Sequence, residues 1–175
     1  MKIIVKGGIP GMLYSENNLQ IRMAKEDDVP VILKFIIELA EFEGAANEIH
    51  STEEGLRHVL FARHGAEALI AEMDRIPIGF AIWAYSFSTF TGKPTLYIDD
   101  IYVREDYRGN GIGSRMFSCL AEIAYQNDCA RMDWYCMETN VSGKEYYHRM
   151  GAEEIDWFKV FRLNRTQIEE MRRNG

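Results

Sequence analysis

The sequence has no apolar run approaching the ~20 residues that a membrane-spanning helix requires. Its first residues lack a long apolar stretch and a small-residue cleavage site, so a secretory signal is not expected. Cysteine is scarce: Cys119, Cys129 and Cys136 are odd in number and have no paired spacing. Reduced thiols in a cytoplasmic protein are the simplest reading. There is no basic stripe, and the net charge is −7, which argues against a nucleic-acid partner. The acidity suits either plain solubility or the attraction of a cationic substrate. The four histidines, His50, His58, His64 and His148, show no metal-ligand spacing with cysteine or carboxylate. No Gly-x-Ser-x-Gly elbow occurs, and Arg172-Arg173 is too short for a nucleic-acid patch.

What remains is an ordinary globular composition, 47% hydrophobic and 27% charged over 175 residues, which fits a single domain. Residues 1–18 read as an N-terminal extension with loop chemistry at Gly7-Gly8 and Pro10-Gly11, and 19–175 as one domain. Leu19–Met23 reads as a strand. Val31, Ile32, Phe35, Ile36, Leu39 and Ala40 fall at helical spacing between Asp27 and Phe42. Ser51 with Glu54 suggests a capping box for a second helix over Thr52–Phe61. Two strands, Ala66–Met73 and Ile76–Ser86, flank a tight turn at Asp74-Arg75, and Thr95–Val103 is a further strand. A helix over Ile112–Asn127, a strand over Arg131–Met137, a helix over Val141–Met150 and a strand over Trp157–Leu163 complete the order. The expectation is an α/β protein with a mixed sheet.

The sharpest local signal is Val103-Arg104-Glu105-Asp106-Tyr107-Arg108-Gly109-Asn110-Gly111-Ile112-Gly113-Ser114. Here a strand ends, and glycines open an amphipathic helix. Glycine lets the backbone adopt positive φ and approach a ligand closely. The unpaired amides of the helix's first turn, with the macrodipole, make a seat for a diphosphate. Arg108 at its lip can add a charge-assisted contact. A nucleotide-triphosphate loop needs Gly-Lys-Ser/Thr, and Gly113-Ser114-Arg115 lacks the lysine. A dinucleotide fingerprint counted from Gly109 needs glycine where Ser114 stands. Taken alone, the loop is equally compatible with a simple strand-to-helix turn.

The segment Arg108–Gly113 resembles the Arg/Gln-x-x-Gly-x-Gly/Ala signature of GNAT-type N-acetyltransferases. The strand Leu96–Val103 before it, Asn140 after the next strand, Tyr147 seven residues on, and Arg149-Met150-Gly151-Ala152 follow the order of that superfamily. Within it, the chain is most similar to the spermidine/spermine (diamine) and thialysine N-acetyltransferases. The likeness runs through Ile36–Glu43, Gly92-Lys93, Leu96–Asp100, Tyr107–Ser114 and Tyr146–Ala152. Those relatives usually carry Glu where Asp99 stands, and more acid than Gly44-Ala45-Ala46 offers.

The resemblance implies a central, twisted, mostly antiparallel sheet flanked by helices, acetyl-coenzyme A as cosubstrate, a small-molecule amine as acceptor, and a homodimer. It implies that Ile101, Tyr102, Val103, Arg108, Gly109, Asn110, Gly111, Ile112, Gly113, Ser114 and Asn140 hold the coenzyme. For the amine it points to Phe42, Glu43, Phe90, Asp99, Asp100, Trp134 and Tyr135; Glu48 could make up missing acid. Catalysis falls to Asp99 on the base side and Tyr147 as general acid. Asp99 and Asp100, being adjacent, should face opposite sides of a regular strand.

Overall fold

In a computed structural model, residues 11–174 are described. Gly7-Gly8 and Pro10 of the expected extension therefore lie outside the described residues. The chain falls into two compact units, divided between Met137 and Glu138.

The first unit is built on a six-stranded sheet in sequential order: β1 (Met12–Glu16), β2 (Leu19–Met23), β3 (Glu67–Met73), β4 (Ile76–Ser88), β5 (Lys93–Val103) and β6 (Arg131–Trp134). All neighbours are antiparallel except β5 and β6, giving the expected mixed, mostly antiparallel sheet. β1 is a correction. Met12–Glu16, expected as loop, pairs with β2 across the two-residue turn Asn17-Asn18, with Glu16 opposite Leu19. Asn17 takes the positive φ of 53° that such a turn needs and that asparagine tolerates. The Asp74-Arg75 turn between β3 and β4 has positive φ at both residues, as the mirror-image hairpin turn requires. Asp74 N–H donates to Asn18 O, which ties the two turns together.

Helix α1 (Val29–Phe42) starts with Pro30 in its first turn, where no N–H is needed. Its buried stripe, Val29, Ile32 and Phe35, lies on the sheet. Phe35 stacks on Phe80 at 5.7 Å and meets Tyr102 at 6.0 Å, and Ile70, Ile82 and Leu60 complete this core. Burial of each large side chain contributes about 1.5–3 kcal/mol. Gly44, at φ 72°, ends the helix. The next helix, α2 (Glu53–Arg57), runs into a π-helical turn over His58–Ala62. Its cap is Thr52, not Ser51: the Thr52 hydroxyl accepts from Gly55 N–H at 3.1 Å. Helix α3 (Ile112–Gln126) packs on the other face of the sheet, with Met116, Phe117, Leu120 and Ile123 buried. There Phe117 meets Trp134 edge-on at 5.3 Å.

In the second unit, α4 (Val141–Arg149) is capped by Asn140, whose side-chain oxygen accepts from Gly143 N–H at 2.9 Å. The strand expected over Trp157–Leu163 is not formed. A strand exists only by pairing, and among the described residues this stretch has no ladder partner. A helix not anticipated, α5 (Arg165–Asn174), follows it. Asn164 and Gln167 cap it reciprocally, each backbone N–H donating to the other's side chain.

Candidate active site

The glycine loop owes its position to β4 and β5. Gly79 faces Val103 at the last pair of their ladder, and a Cβ at Gly79 would stand 2.5 Å from Tyr102 O. Only glycine lets the strands close where β5 delivers the loop. A 3-10 turn, Glu105–Tyr107, follows, and then Gly109 and Gly111 at φ 78° and 75°. Gly111 is the N-cap of α3 and brings no side-chain cap. Helix geometry leaves the first-turn N–H groups without intrahelical acceptors, so the loop has the donor set that a diphosphate needs. Asn110 braces it, its side-chain NH₂ donating to Tyr107 O at 3.2 Å and Arg108 O at 3.3 Å.

Arg108 is less free than the sequence suggests. Its Nε donates to Val103 O at 2.8 Å, and its guanidinium carbon lies 4.4 Å from the Phe42 ring centre and 5.5 Å from that of Tyr102. The two terminal nitrogens keep their donors, held at the lip by the rings. Tyr102 itself is buried, and its hydroxyl donates to Glu38 at 3.2 Å. Its side chain therefore belongs to the α1 core, and its backbone, opposite Phe80 in the ladder, faces β4 rather than the open edge.

Beyond Ile98, β5 loses β6. The parallel ladder runs from Thr95–Arg131 to Ile98–Trp134 and stops. The edge from Asp99 to Val103, Ile101 included, therefore has no strand partner on that side among the described residues. Backbone groups there that no strand pairs can accept an extended ligand as if it were a strand, although Val103 O already accepts from Arg108 Nε.

At the same point β5 carries a bulge. Ile98 pairs with Trp83 and Asp100 with Ile82, so Asp99 is the extra residue. This corrects the expectation of simple alternation. Before the bulge the even-numbered Ile98 lies opposite Trp83; after it the even-numbered Asp100 and Tyr102 share the face of Ile82 and Phe80, toward α1. Asp99 is exposed, while Asp100 is partly buried. Burial above all, then the charges of Asp99 and Glu43, pushes the Asp100 carboxyl up to about 6. Desolvation also raises Glu43, the residue that ends α1. Three carboxyl groups thus gather where α1 meets the bulge, beside the half-exposed Phe42.

The remaining expected amine contacts are dispersed. Phe90 is 96% exposed at the tip of the β4–β5 hairpin, roughly 23 Å of strand from Asp100 at about 3.3 Å per residue. The structure does not bring it to the carboxylates. Trp134 packs on Phe117 of α3, on the opposite face from Asp100. Tyr135 stands edge-on to Tyr97 at 5.4 Å. Glu48 lies in a 3-10 turn after α1 and is exposed.

Asn140 and Tyr147 belong to the second unit. Asn140 acts there as the cap of α4, accepting also from Ser142 Oγ at 3.2 Å. Tyr147 is partly buried on α4, two turns on, with its ring 5.6 Å from that of Tyr146.

Sequence reasoning missed Tyr14, Glu16 and Arg115, which lie against one another beside Gly111. Leu13-Tyr14-Ser15-Glu16 and Leu19-Gln20-Ile21 alternate on either side of Asn17-Asn18, a hairpin signal that could have found them.

Comparison with known proteins agrees with this architecture. The model of the acetyltransferase (GNAT) family matches residues 34–152. Over 163 residues the chain is 32% identical to a thialysine N-epsilon-acetyltransferase of Bos taurus, covering 88% of this chain and 95% of that protein. It is also 32% identical over 168 residues to spermidine/spermine N(1)-acetyltransferase-like protein 1 of Homo sapiens, covering 90% of this chain and 24% of that protein. A solved structure of a predicted acetyltransferase from Clostridium acetobutylicum, with acetyl-CoA, has the same fold. Its TM-score is 0.70 at 22% identity, covering 82% of this chain and 96% of that one.

Proposed function

The chain belongs to the GNAT family and is an acetyltransferase, and from that premise we propose that it moves the acetyl group of acetyl-CoA to a primary amine of a small molecule. The acceptor is a diamine, a polyamine or a lysine-like amine. The reading rests on one observation above the rest: Glu43, Asp99 and Asp100 converge at the β5 bulge with the Asp100 carboxyl raised to about 6. The names of two relatives, a thialysine N-epsilon-acetyltransferase and a spermidine/spermine N(1)-acetyltransferase-like protein, support the same class of acceptor.

An alkylamine with pKa near 10.4 is cationic at neutral pH, yet only its neutral form attacks a thioester. Reaching that form at pH 7 costs about 4.6 kcal/mol. The exposed carboxylate of Asp99 and that of Glu43 attract the cation. Asp100 is the better proton acceptor, because a base is most effective with a pKa near the working pH. The family expectation of Asp99 on the base side then becomes a shared task, with Asp99 binding and Asp100 taking the proton directly or through water.

Acetyl-CoA enters as substrate. The amides at Gly109–Ser114 suit its diphosphate, and Arg108 keeps donors at the lip. The unpaired edge of β5 at Ile101 and Val103 suits its pantetheine arm, and an amide there can stabilise the negative charge that develops on the carbonyl oxygen. When the tetrahedral intermediate collapses, the leaving thiolate needs a proton. Tyr147, a phenol of ordinary pKa about 10 facing a thiol of about 8.5, is our candidate donor. Asn140 sets the start of the helix that carries it. The homodimer that the resemblance implies, and the cytoplasmic setting that the unpaired cysteines suggest, belong to this proposal. Among the described residues, no helix is long and apolar enough to cross a membrane.

The test is thiol release from acetyl-CoA, screened against diamines, polyamines, thialysine, lysine, aminoglycosides and peptides. Turnover with the small alkylamines supports the proposal. Turnover only with peptides or aminoglycosides replaces the acceptor, and coenzyme binding without any turnover points to a non-catalytic sensor.

A further inference from the structure

The acetyl-transfer chemistry leaves Glu38 of α1 without a task, yet its carboxylate gathers three side chains. The Tyr102 hydroxyl donates to its Oε2 at 3.2 Å, and Arg104 Nε lies 3.7 Å from the same oxygen. Lys34, one turn earlier on α1, stands 3.8 Å from Oε1. The Glu38 side chain is 22% exposed, and Tyr102 is buried. Burial above all, then the charge of Glu38 and its hydrogen bond, raises the Tyr102 pKa, so the phenol keeps the proton it donates.

The partners of Glu38 are the residues on either side of Val103. Tyr102 ends the buried part of β5, and Arg104 is extended and opens the turn to the glycine loop. In extended chain their side chains share one face, so one carboxylate reaches both. Val103 O accepts from Arg108 Nε at 2.8 Å, and the Tyr102 ring centre lies 5.5 Å from the Arg108 guanidinium carbon. Glu38 therefore fixes both neighbours of the carbonyl that holds Arg108, and one of the two rings beside it. The other ring, Phe42, stands 4.4 Å from that carbon and lies four residues beyond Glu38 on the same helix face. One stripe of α1 thus sets the whole support of Arg108. A carboxylate restrains its donors more firmly than a neutral acceptor does.

We propose that Glu38 is a positioning residue for the cosubstrate: through Tyr102 and Arg104 it holds Arg108 where its terminal donors meet the coenzyme diphosphate. The inference rests on the acetyl-CoA reading. Charge alone acts the other way. Glu38 is an anion on the helix beside the loop, so its removal should tighten a bound diphosphate by electrostatics. Position and charge therefore give opposite signs, which makes the role measurable.

Titration calorimetry on the full chain, with coenzyme A and with pantetheine as probes, provides the test, because pantetheine carries no diphosphate. Glu38→Ala should weaken coenzyme A about three- to fivefold, the scale of an exposed cation–π contact. Its affinity for pantetheine should stay within about twofold of wild type. Glu38→Gln keeps an acceptor oxygen for Tyr102 and should recover most of the loss, although it removes the same charge. Tyr102→Phe keeps the ring and the net charge, breaks the hydrogen bond, and should weaken coenzyme A by about twofold. This variant carries the test if thermal melts show that Glu38→Ala has lost its fold. Unchanged or tighter coenzyme A binding in folded Glu38→Ala overturns the proposal. An equal loss with both probes also overturns it, marking the contact as purely structural. Either result spares the acetyl-CoA reading, whereas absence of any coenzyme A binding by the wild type overturns both.

Discussion

The Arg108 guanidinium carbon lies 4.4 Å from the centre of the Phe42 ring, which joins the glycine loop to the end of α1. The sequence assigned these residues to different ligands, Arg108 to the coenzyme and Phe42 to the amine. Their contact makes the two halves of the proposed site mechanically dependent.

Phe42→Leu should therefore raise KM for both acetyl-CoA and amine, by about two- to fivefold, since an exposed cation–π contact is worth about 0.5–1 kcal/mol. The turnover number should change less than KM, and Phe42→Tyr should restore both constants. Steady-state kinetics with each substrate varied in turn provides the check.

Asp100 should set the acid limb of the rate profile. Its carboxyl is pushed up to about 6, first by burial and then by Asp99 and Glu43. kcat/KM should rise with pH and level off above about 6, and Asp100→Asn should remove that limb with a loss of about 10²-fold or more. Stability moves in the opposite direction. A raised carboxyl pKa means that the native state holds the proton more tightly than the unfolded chain between 3.8 and about 6. Wild-type stability is thus lost as pH rises through that window. Asp100→Asn should melt higher than wild type at pH 8, and the gain should vanish below about pH 4. Thermal melts across pH measure this.

Tyr147→Phe should lower the turnover number by about 10²-fold while leaving coenzyme A affinity unchanged, because it removes a proton donor and no binding group. Thiol release and calorimetry on the same preparation separate the two effects. Equal turnover in the variant would remove Tyr147 from the mechanism.

Two glycines should fail in different ways. Gly79→Ala puts a methyl group 2.5 Å from Tyr102 O, and forcing β4 from β5 should cost about 1–3 kcal/mol in a denaturant titration. Gly111 has open space for a methyl group but holds φ at 75°, so Gly111→Ala carries a backbone strain of about 1–2 kcal/mol. Its effect should fall on coenzyme affinity, which we expect to weaken at least fivefold, more than on the melting temperature.

Much of the fold was legible because the signals are local. The stripe Ile32, Phe35 in α1 and the positive-φ turn at Asp74-Arg75 need only near neighbours to declare themselves. Gly109 and Gly111 likewise announce a loop that ordinary residues resist. The misses have different causes. Met12–Glu16 was hidden among turn residues, although Asn17-Asn18 marked a hairpin. Trp157–Leu163 has the composition of a strand but lacks a partner among the described residues, and pairing is not a property of one segment. Helix α5 was overlooked although the box from Asn164 to Gln167 is written in the residues.

From order and residue type alone, the chain declares a mixed sheet and a glycine loop that opens a helix, because capping, turn formation and periodicity act over a few residues. Tertiary structure alone decides that Asp99 bulges and Asp100 turns toward α1, where desolvation and two like charges lift its pKa. It alone brings Arg108 over Phe42 and Tyr14 under Arg115. Those outcomes depend on ladder register and on side chains remote in sequence, and no window along the chain contains both partners.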